Sequence, residues 1–145
     1  MNRTIFDVET DGLDHNYSQI QTIYAKTKNA EGNVIDVLDE NCASTPHRLP
    51  HPKALITNGY PLDLLKQNQT LHSLLLKSYD YFRRNGPSLI YAHNANFDFK
   101  MLHNGYYQNL IGEDIYQLKN PGNTLICSMQ LSKAAYCFSR DNNFF

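Results

Sequence analysis

Three carboxylates in this sequence have types and spacing that could do chemistry. Asp7 and Glu9 form a D-x-E pair inside Phe6-Asp7-Val8-Glu9-Thr10-Asp11-Gly12, and Asp98 closes the run His93-Asn94-Ala95-Asn96-Phe97-Asp98. In an extended chain, residues i and i+2 point to the same face. Two carboxylates on one face repel unless a cation sits between them, and a hard divalent ion with oxygen ligands is the usual solution. Mg²⁺ or Mn²⁺ held in this way could activate water and neutralise a phosphodiester. At ordinary composition a D-x-E pair arises by chance in roughly one chain of three at this length, so the pair alone equally describes two solvated turn acids. Its context favours a site, because the pair ends an apolar run, at the exit of a strand where sites collect. Asp98 has a plain alternative too, since acids favour the first turn of a helix, and Asn94 or Asn96 could be a cap.

The elements that must position these groups can be read along the chain. Residues 3–8 read as a strand, 9–16 as a polar loop, 20–26 as a half-buried strand, 29–33 as a turn and 34–38 as a third strand. Short turns between these strands predict an antiparallel meander. A loop with Pro46, Pro50, Pro52 and Pro61 follows, long enough to hold short helical turns. Thr70 is a plausible N-cap for a helix through residue 84, with Leu71, Leu74, Leu75, Tyr79 and Phe82 on one stripe, ended by Asn85-Gly86-Pro87. Residues 88–92 read as a fourth strand and 96–108 as a helix with Phe97, Met101 and Leu102 facing inward. After a turn at 120–123, residues 124–126 predict a short fifth strand and 128–136 a last helix. The expected fold class is therefore α/β: a mixed five-stranded sheet, first a three-stranded antiparallel meander and then strand–helix units, flanked by helices.

Bulk properties bound the functional classes. The 145 residues suit one domain, and 41% hydrophobic residues suffice for one core. A net charge of −1 excludes a grip on nucleic acid by bulk charge, although Lys26, Lys28, Arg83, Arg84, Lys100 and Lys133 could form a local patch. Three cysteines without a C-x-x-C pair argue against a disulfide framework or a structural zinc site, and predict free thiols in a reducing compartment. No signal-peptide stretch or membrane span is evident, so the expectation is a soluble cytoplasmic protein without membrane contact.

The two acidic blocks resemble the first and second motifs of the DEDD (DnaQ-like) 3′→5′ exonucleases, a branch of the ribonuclease-H-like fold. The segment Leu49-Pro50-His51-Pro52-Lys53-Ala54-Leu55-Ile56-Thr57-Asn58-Gly59-Tyr60-Pro61 is similar to the loop this family places before its long helix. Within the family the likeness is greatest to the bacterial exonuclease I group, which degrades single-stranded DNA from the 3′ end, and it extends over nearly the whole chain. Three ordered blocks are far more specific than any one motif. The resemblance implies two Mg²⁺ (or Mn²⁺) ions in a complete site. Asp7 would bridge both ions, Glu9 would hold the one nearest the attacking water, and Asp98 would hold the second. Thr10 would lie near the 3′-terminal nucleotide. Asn94 and Phe97 are further candidate substrate contacts, although Phe97 could instead pack in the core, and His93 and Asn94 could instead shape the strand–helix turn.

The resemblance also implies a fourth carboxylate and a general base on a later helix, spaced as His-x-x-x-x-Asp or Tyr-x-x-x-Asp. Tyr136 and Asp141 have the first spacing with the aromatic residue of the second, and sit where the family has a helix end; His103 does not match the base. The expectation is a single exonuclease domain over residues 1–145 that lacks the third motif and the final helix, with apolar surface left near Phe144 and Phe145. The chain would be a fragment of a longer exonuclease or a short form of reduced activity, completed by a further segment or a protein partner. The expected reaction is two-metal release of nucleoside monophosphates from single-stranded DNA. The alternatives are an RNA-trimming exonuclease of the same family, and a non-catalytic nucleic-acid-binding or interaction module.

Overall fold

The computed structural model describes residues 1–45, 50–58, 69–112 and 123–139. The elements run β1 (Asn2–Thr10), β2 (Ile20–Lys28), β3 (Val34–Asn41), α1 (Pro52–Asn58), α2 (Leu71–Asn85), β4 (Ser88–Ala92), α3 (Ala95–Gln108), β5 (Thr124–Cys127) and α4 (Ser128–Ser139). They build one five-stranded sheet in the order β3-β2-β1-β4-β5. The β1–β2 and β2–β3 pairs are antiparallel, as short turns require; β1–β4 and β4–β5 are parallel, as helical crossovers require. The mixed five-stranded sheet flanked by helices is thus the one the sequence predicts.

Alternation decides the faces. On β1, Thr4, Phe6, Val8 and Thr10 are buried, whereas Arg3, Ile5 and Asp7 are exposed. The buried set meets α2 and α3, where the Phe6 and Phe82 rings pack edge to face at 5.4 Å. Helix α2 starts where expected, because the Thr70 side chain accepts a hydrogen bond from Ser73 N at 3.2 Å. Arg83 and Arg84 in its last turn complement the negative end of its dipole.

A chain of buried hydroxyls crosses the sheet beneath this helix. Ser88 Oγ on β4 lies 2.8 Å from Thr4 Oγ1 on β1, which lies 2.8 Å from Thr27 Oγ1 on β2. Thr27 Oγ1 is 2.7 Å from Tyr81 OH on α2, and that hydroxyl donates to Asp36 O on β3 at 3.3 Å. Each polar group left without water thereby gains a partner.

Four of the five strands are longer than the sequence reading gave; β4 matches it. Strand β1 continues to Thr10 and absorbs Glu9, which the sequence placed in a loop, because the pairing with β2 runs on through a bulge at Glu9/Thr10. Strand β3 continues to Asn41, held by the ladder to Thr22. Helix α3 starts one residue early, at Ala95, which turns Asp98 and Phe99 inward and leaves Phe97 half-buried. Met101 and Leu102 are buried as expected. Cys42 and Cys127 are free thiols. Among the described residues, no helix is long and apolar enough to cross a membrane. Pro46, Leu49, Gly59, Tyr60, Pro61, the Tyr136 side chain, Asp141, Phe144 and Phe145 lie outside the described residues, so the expectations placed on them do too.

Candidate active site

The site forms where β1 leaves the sheet beside the β4–α3 junction. The pleat sets Asp7 and Glu9 on the face of β1 away from α2 and α3, as i, i+2 spacing requires. Strand β4 lies parallel to β1 with Ile5 opposite Tyr91, so both strands deliver their C-terminal ends to the same edge. From there β4 turns through His93 and Asn94 into α3, and the first turn of that helix brings Asp98 back to β1. Its Oδ1 accepts a hydrogen bond from the backbone N–H of Val8 at 3.4 Å, across ninety residues of sequence.

The electrostatics tie the three acids together. Burial, and then the Asp7 charge, push the Asp98 carboxyl up to about 6, against the downward pull of backbone hydrogen bonds from Val8, Asp98 and Asn94. Burial, and then the same Asp7 charge, also raise Glu9. Asp7 therefore acts on both of its neighbours, and the three oxygen-bearing groups form one field of like charge. This is the hard donor set that a divalent cation relieves. The acids converge without closing to ligand spacing: among the described residues, no group of three His, Cys, Asp or Glu side chains is preassembled to hold a metal ion.

A cleft of about 380 Å³ opens beside Glu9. Val8, Glu9 and Thr10 form one wall, Gly12 and Leu13 the loop side, His51, Lys53, Ala54 and Thr57 the α1 side, and Phe97 the wall from α3. The loop is tied down from several directions. Thr10 Oγ1 donates to Gly12 O at 2.5 Å, Gln19 N donates to Asp11 Oδ1 at 2.7 Å, and His51 N donates to Asp11 O at 2.8 Å. The last two bonds hang α1 and the start of β2 on the buried residue Asp11.

The candidate substrate contacts divide. Phe97 faces the cleft while also touching the core. Thr10 lines the cleft, with its hydroxyl engaged in the turn. Asn94 is exposed and stands at the N-cap position without a side-chain cap bond; its backbone oxygen accepts from Phe97 N and Asp98 N at 2.8 and 3.2 Å. His93 shapes the turn: its Nδ1 lies 3.2 Å from Ser128 Oγ, and its oxygen accepts from Met129 N at 3.1 Å. The basic residues do not share one patch. Lys26 and Lys28 lie on the same sheet face as Asp7, whereas Arg83 and Arg84 pair with Asp80 and Asp36 on the helix side. Sequence reasoning assigned no role to Asp11, Leu13, His51, Lys53 or Thr57; the Pro-rich block contained the last three, but nothing in it showed that α1 folds back onto β1.

No family model matches the chain. Over 133 residues, 91% of its length, it is 30% identical to a PolC-type DNA polymerase III of Halalkalibacterium halodurans, of which it covers 8%. A PolC-type DNA polymerase III of Staphylococcus haemolyticus is 29% identical over 102 residues, which is 70% of the chain and 7% of that relative. Among solved structures, E. coli exonuclease I in complex with a dT13 oligonucleotide matches with a TM-score of 0.85 at 20% identity, covering 97% of this chain and 31% of that one. The zinc-ion-bound form of the E. coli exonuclease I–single-stranded DNA complex matches with a TM-score of 0.85 at 19% identity, covering 97% and 30%. The chain thus spans less than a tenth of these polymerases and about a third of exonuclease I. Its fold is the ribonuclease-H-like fold of exonuclease I, and the resemblance to the DnaQ-like exonucleases read from the motifs holds in fold and in sequence similarity.

Proposed function

We propose that this chain is a DnaQ-like 3′→5′ exonuclease domain that hydrolyses single-stranded DNA to nucleoside monophosphates, with Mg²⁺ or Mn²⁺ held by Asp7, Glu9 and Asp98. The observation that carries this reading is the convergence of three acids beside a cleft at the strand ends: the pleat sets Asp7 and Glu9 on one face of β1, the Val8 N–H holds Asp98 against that strand, and burial and then the Asp7 charge raise both Glu9 and Asp98. The fold shared with exonuclease I, whose structures hold single-stranded DNA, supports the substrate class.

Two divalent ions bound here would neutralise the scissile phosphate and acidify the attacking water. The protein's own groups bind and orient. The Val8 N–H steers Asp98, and the Thr10–Gly12 and Asp11–Gln19 bonds fix the loop that flanks Glu9. The cleft falls within the size range of small-molecule sites, and Phe97 and Leu13 offer it an apolar wall on which a terminal base can stack. Lys53 supplies a cation for the backbone phosphate. The family resemblance also implies a fourth carboxylate and a general base, and without such groups turnover would fall by orders of magnitude.

The test is incubation with end-labelled single-stranded DNA and RNA in Mn²⁺, next to calorimetric titration of Mn²⁺ alone. Stepwise shortening of DNA from the 3′ end and Mn²⁺ binding, both lost in Asp7→Ala, are expected. Shortening of RNA alone would move the substrate class. No digestion of either strand, with Mn²⁺ binding equal in protein and variant, would end the exonuclease reading.

A further inference from the structure

Residues 11–19 leave β1 and return to β2 as a closed loop. Two bonds hold its neck, from Asp11 N to Gln19 O at 3.1 Å and from Gln19 N to Asp11 Oδ1 at 2.7 Å. Within it, Asp14 O accepts from Tyr17 N and Ser18 N at 3.0 and 2.6 Å, and Asp14 Oδ1 accepts from Asn16 N at 2.9 Å. The two arms touch, since a Cβ on Gly12 would stand 2.5 Å from Ser18 Oγ. These bonds are internal to the loop or sit at its neck. They set its shape, not the direction in which its far end leans. Leu13, 85% exposed, stands on this loop and forms one side of the cleft.

Helix α3 sets the direction. Asn104 Nδ2 donates to His15 O at 2.9 Å and lies 3.4 Å from Asn16 Oδ1, and Gln108 Nε2 donates to Asn16 O at 3.0 Å. Asn104 and Gln108 follow Phe97 by seven and eleven residues, spacings that put all three within about 20° of one stripe of the helix. Phe97 is the wall of the cleft that α3 supplies. The two amides lie about 10 and 17 Å further along the helix axis. Residues 13–16 therefore run beside α3, with Leu13 at the cleft and His15 and Asn16 on the amides. Neither amide closes the core, because Asn104 is half-buried and Gln108 exposed.

We propose that Asn104 and Gln108 are positioning residues for the substrate strand: they hold the 11–19 loop against α3 so that Leu13 faces Phe97 across a fixed gap. The proposal rests on the exonuclease reading and adds the part that sets the width of its cleft. One helix then does both jobs, since the first turn of α3 carries Asp98 to β1. Neither amide lines the cleft, so each acts through Leu13. With the loop already in place, an entering nucleotide does not have to order it. With the clamp removed, part of the binding energy goes into stopping the swing of the loop.

The chain contains no tryptophan, so Tyr17→Trp, at a loop residue 74% exposed, supplies a single fluorophore. In the free protein, replacing Asn104 and Gln108 by Ala is expected to enlarge the fast component of the indole's anisotropy decay, with the circular dichroism spectrum unchanged. Binding is then measured without the tryptophan, on an oligothymidylate with a phosphorothioate at its 3′-terminal linkage, in Mn²⁺. Asn104→Ala or Gln108→Ala is expected to raise the dissociation constant about 5-fold and the pair about 25-fold, as loss of one and of two neutral hydrogen bonds would. The salt dependence should stay as it is, because no phosphate contact is removed. In a Leu13→Ala background the pair should cost less than about 2-fold, because the side chain that the clamp aims is gone. An indole equally restrained with and without the amides overturns the proposal and leaves the exonuclease reading standing. So does a mobile loop with an unchanged dissociation constant, or a loss of affinity that is the same with and without Leu13. A parent chain that binds no oligonucleotide overturns both.

Discussion

Replacing Asp98 with Asn separates what the site costs from what it does. Asp98 is buried, and its carboxyl is pushed from an ordinary 3.8 up to about 6, first by burial and then by Asp7. The folded protein therefore holds this proton more tightly than the unfolded chain. Below about pH 4 both states are protonated and the group is neutral in its effect. As pH rises from about 4 to about 6 the unfolded chain releases the proton first, so stability falls, and above about 6 the folded state carries the whole cost. At about 1.4 kcal/mol per pH unit, the gap comes to about 3 kcal/mol. Asn has the same shape, stays neutral, and keeps an oxygen for the Val8 N–H that Asp98 now accepts. Urea unfolding in chelator should find Asp98→Asn more stable than the parent by up to about 3 kcal/mol at pH 8, a gain of roughly 6–12 °C in Tm for a chain of this size, and nearly equal to it near pH 4. Mn²⁺ binding by the same variant should be severely weakened. A variant less stable than the parent at pH 8, or an advantage of the same size at both pH values, would refute the argument that Asp98 is a strained acid kept for its charge.

Three further outcomes follow from the geometry. Asp7→Asn should lower the carboxyl titrations of both Glu9 and Asp98, read by carbon NMR in chelator, because the Asp7 charge raises each; titrations that stay in place would contradict the shared field. Lys53→Gln should weaken binding of a short single-stranded oligonucleotide several-fold and flatten its salt dependence by about one counterion, measured by anisotropy at several salt concentrations; an unchanged slope would remove Lys53 from the DNA path. Gly112→Ala should destabilise the fold by about 1–3 kcal/mol in urea unfolding, since this residue has φ +75 and its Cβ would stand 2.7 Å from the Tyr79 ring; a neutral effect would mean the ring moves freely.

Features with a local cause were legible in the sequence. The Thr70 cap, the β4 run and the α2 stripe depend on neighbours within a few residues, and the structure has them where the pattern put them. Features with a distant cause were not. Strand β1 reaches Thr10 because β2 supplies partners beyond the bulge, a fact absent from residues 9–16 themselves. Asp11 looked like an ordinary loop acid because its partners, Gln19 and His51, come from two other segments. The inward turn of Phe99 and the outward shift of Phe97 follow from one residue at the start of α3, a boundary that no cap bond marks. The candidate acids were picked by spacing and resemblance, but the burial that raises Asp98 arises only when α3 folds back onto β1.

The buried hydroxyl chain bears on a fault that hydrophobic alternation cannot detect. If β1 slid by one residue against its neighbours, Phe6 and Val8 would turn out to solvent, and the core would reject it at once. A slide of two residues keeps every side chain on its proper face. It would carry Thr4 away from both Ser88 and Thr27, however, and strand buried hydroxyls at roughly 1–3 kcal/mol each. The same slide would move Asp7 by about 7 Å along the sheet while Asp98, anchored through β4 and α3, stayed behind. Three small side chains at the far end of the strands thus act as a vernier for the carboxylates, rejecting the even-numbered errors that would leave a well-packed protein with a misaligned site.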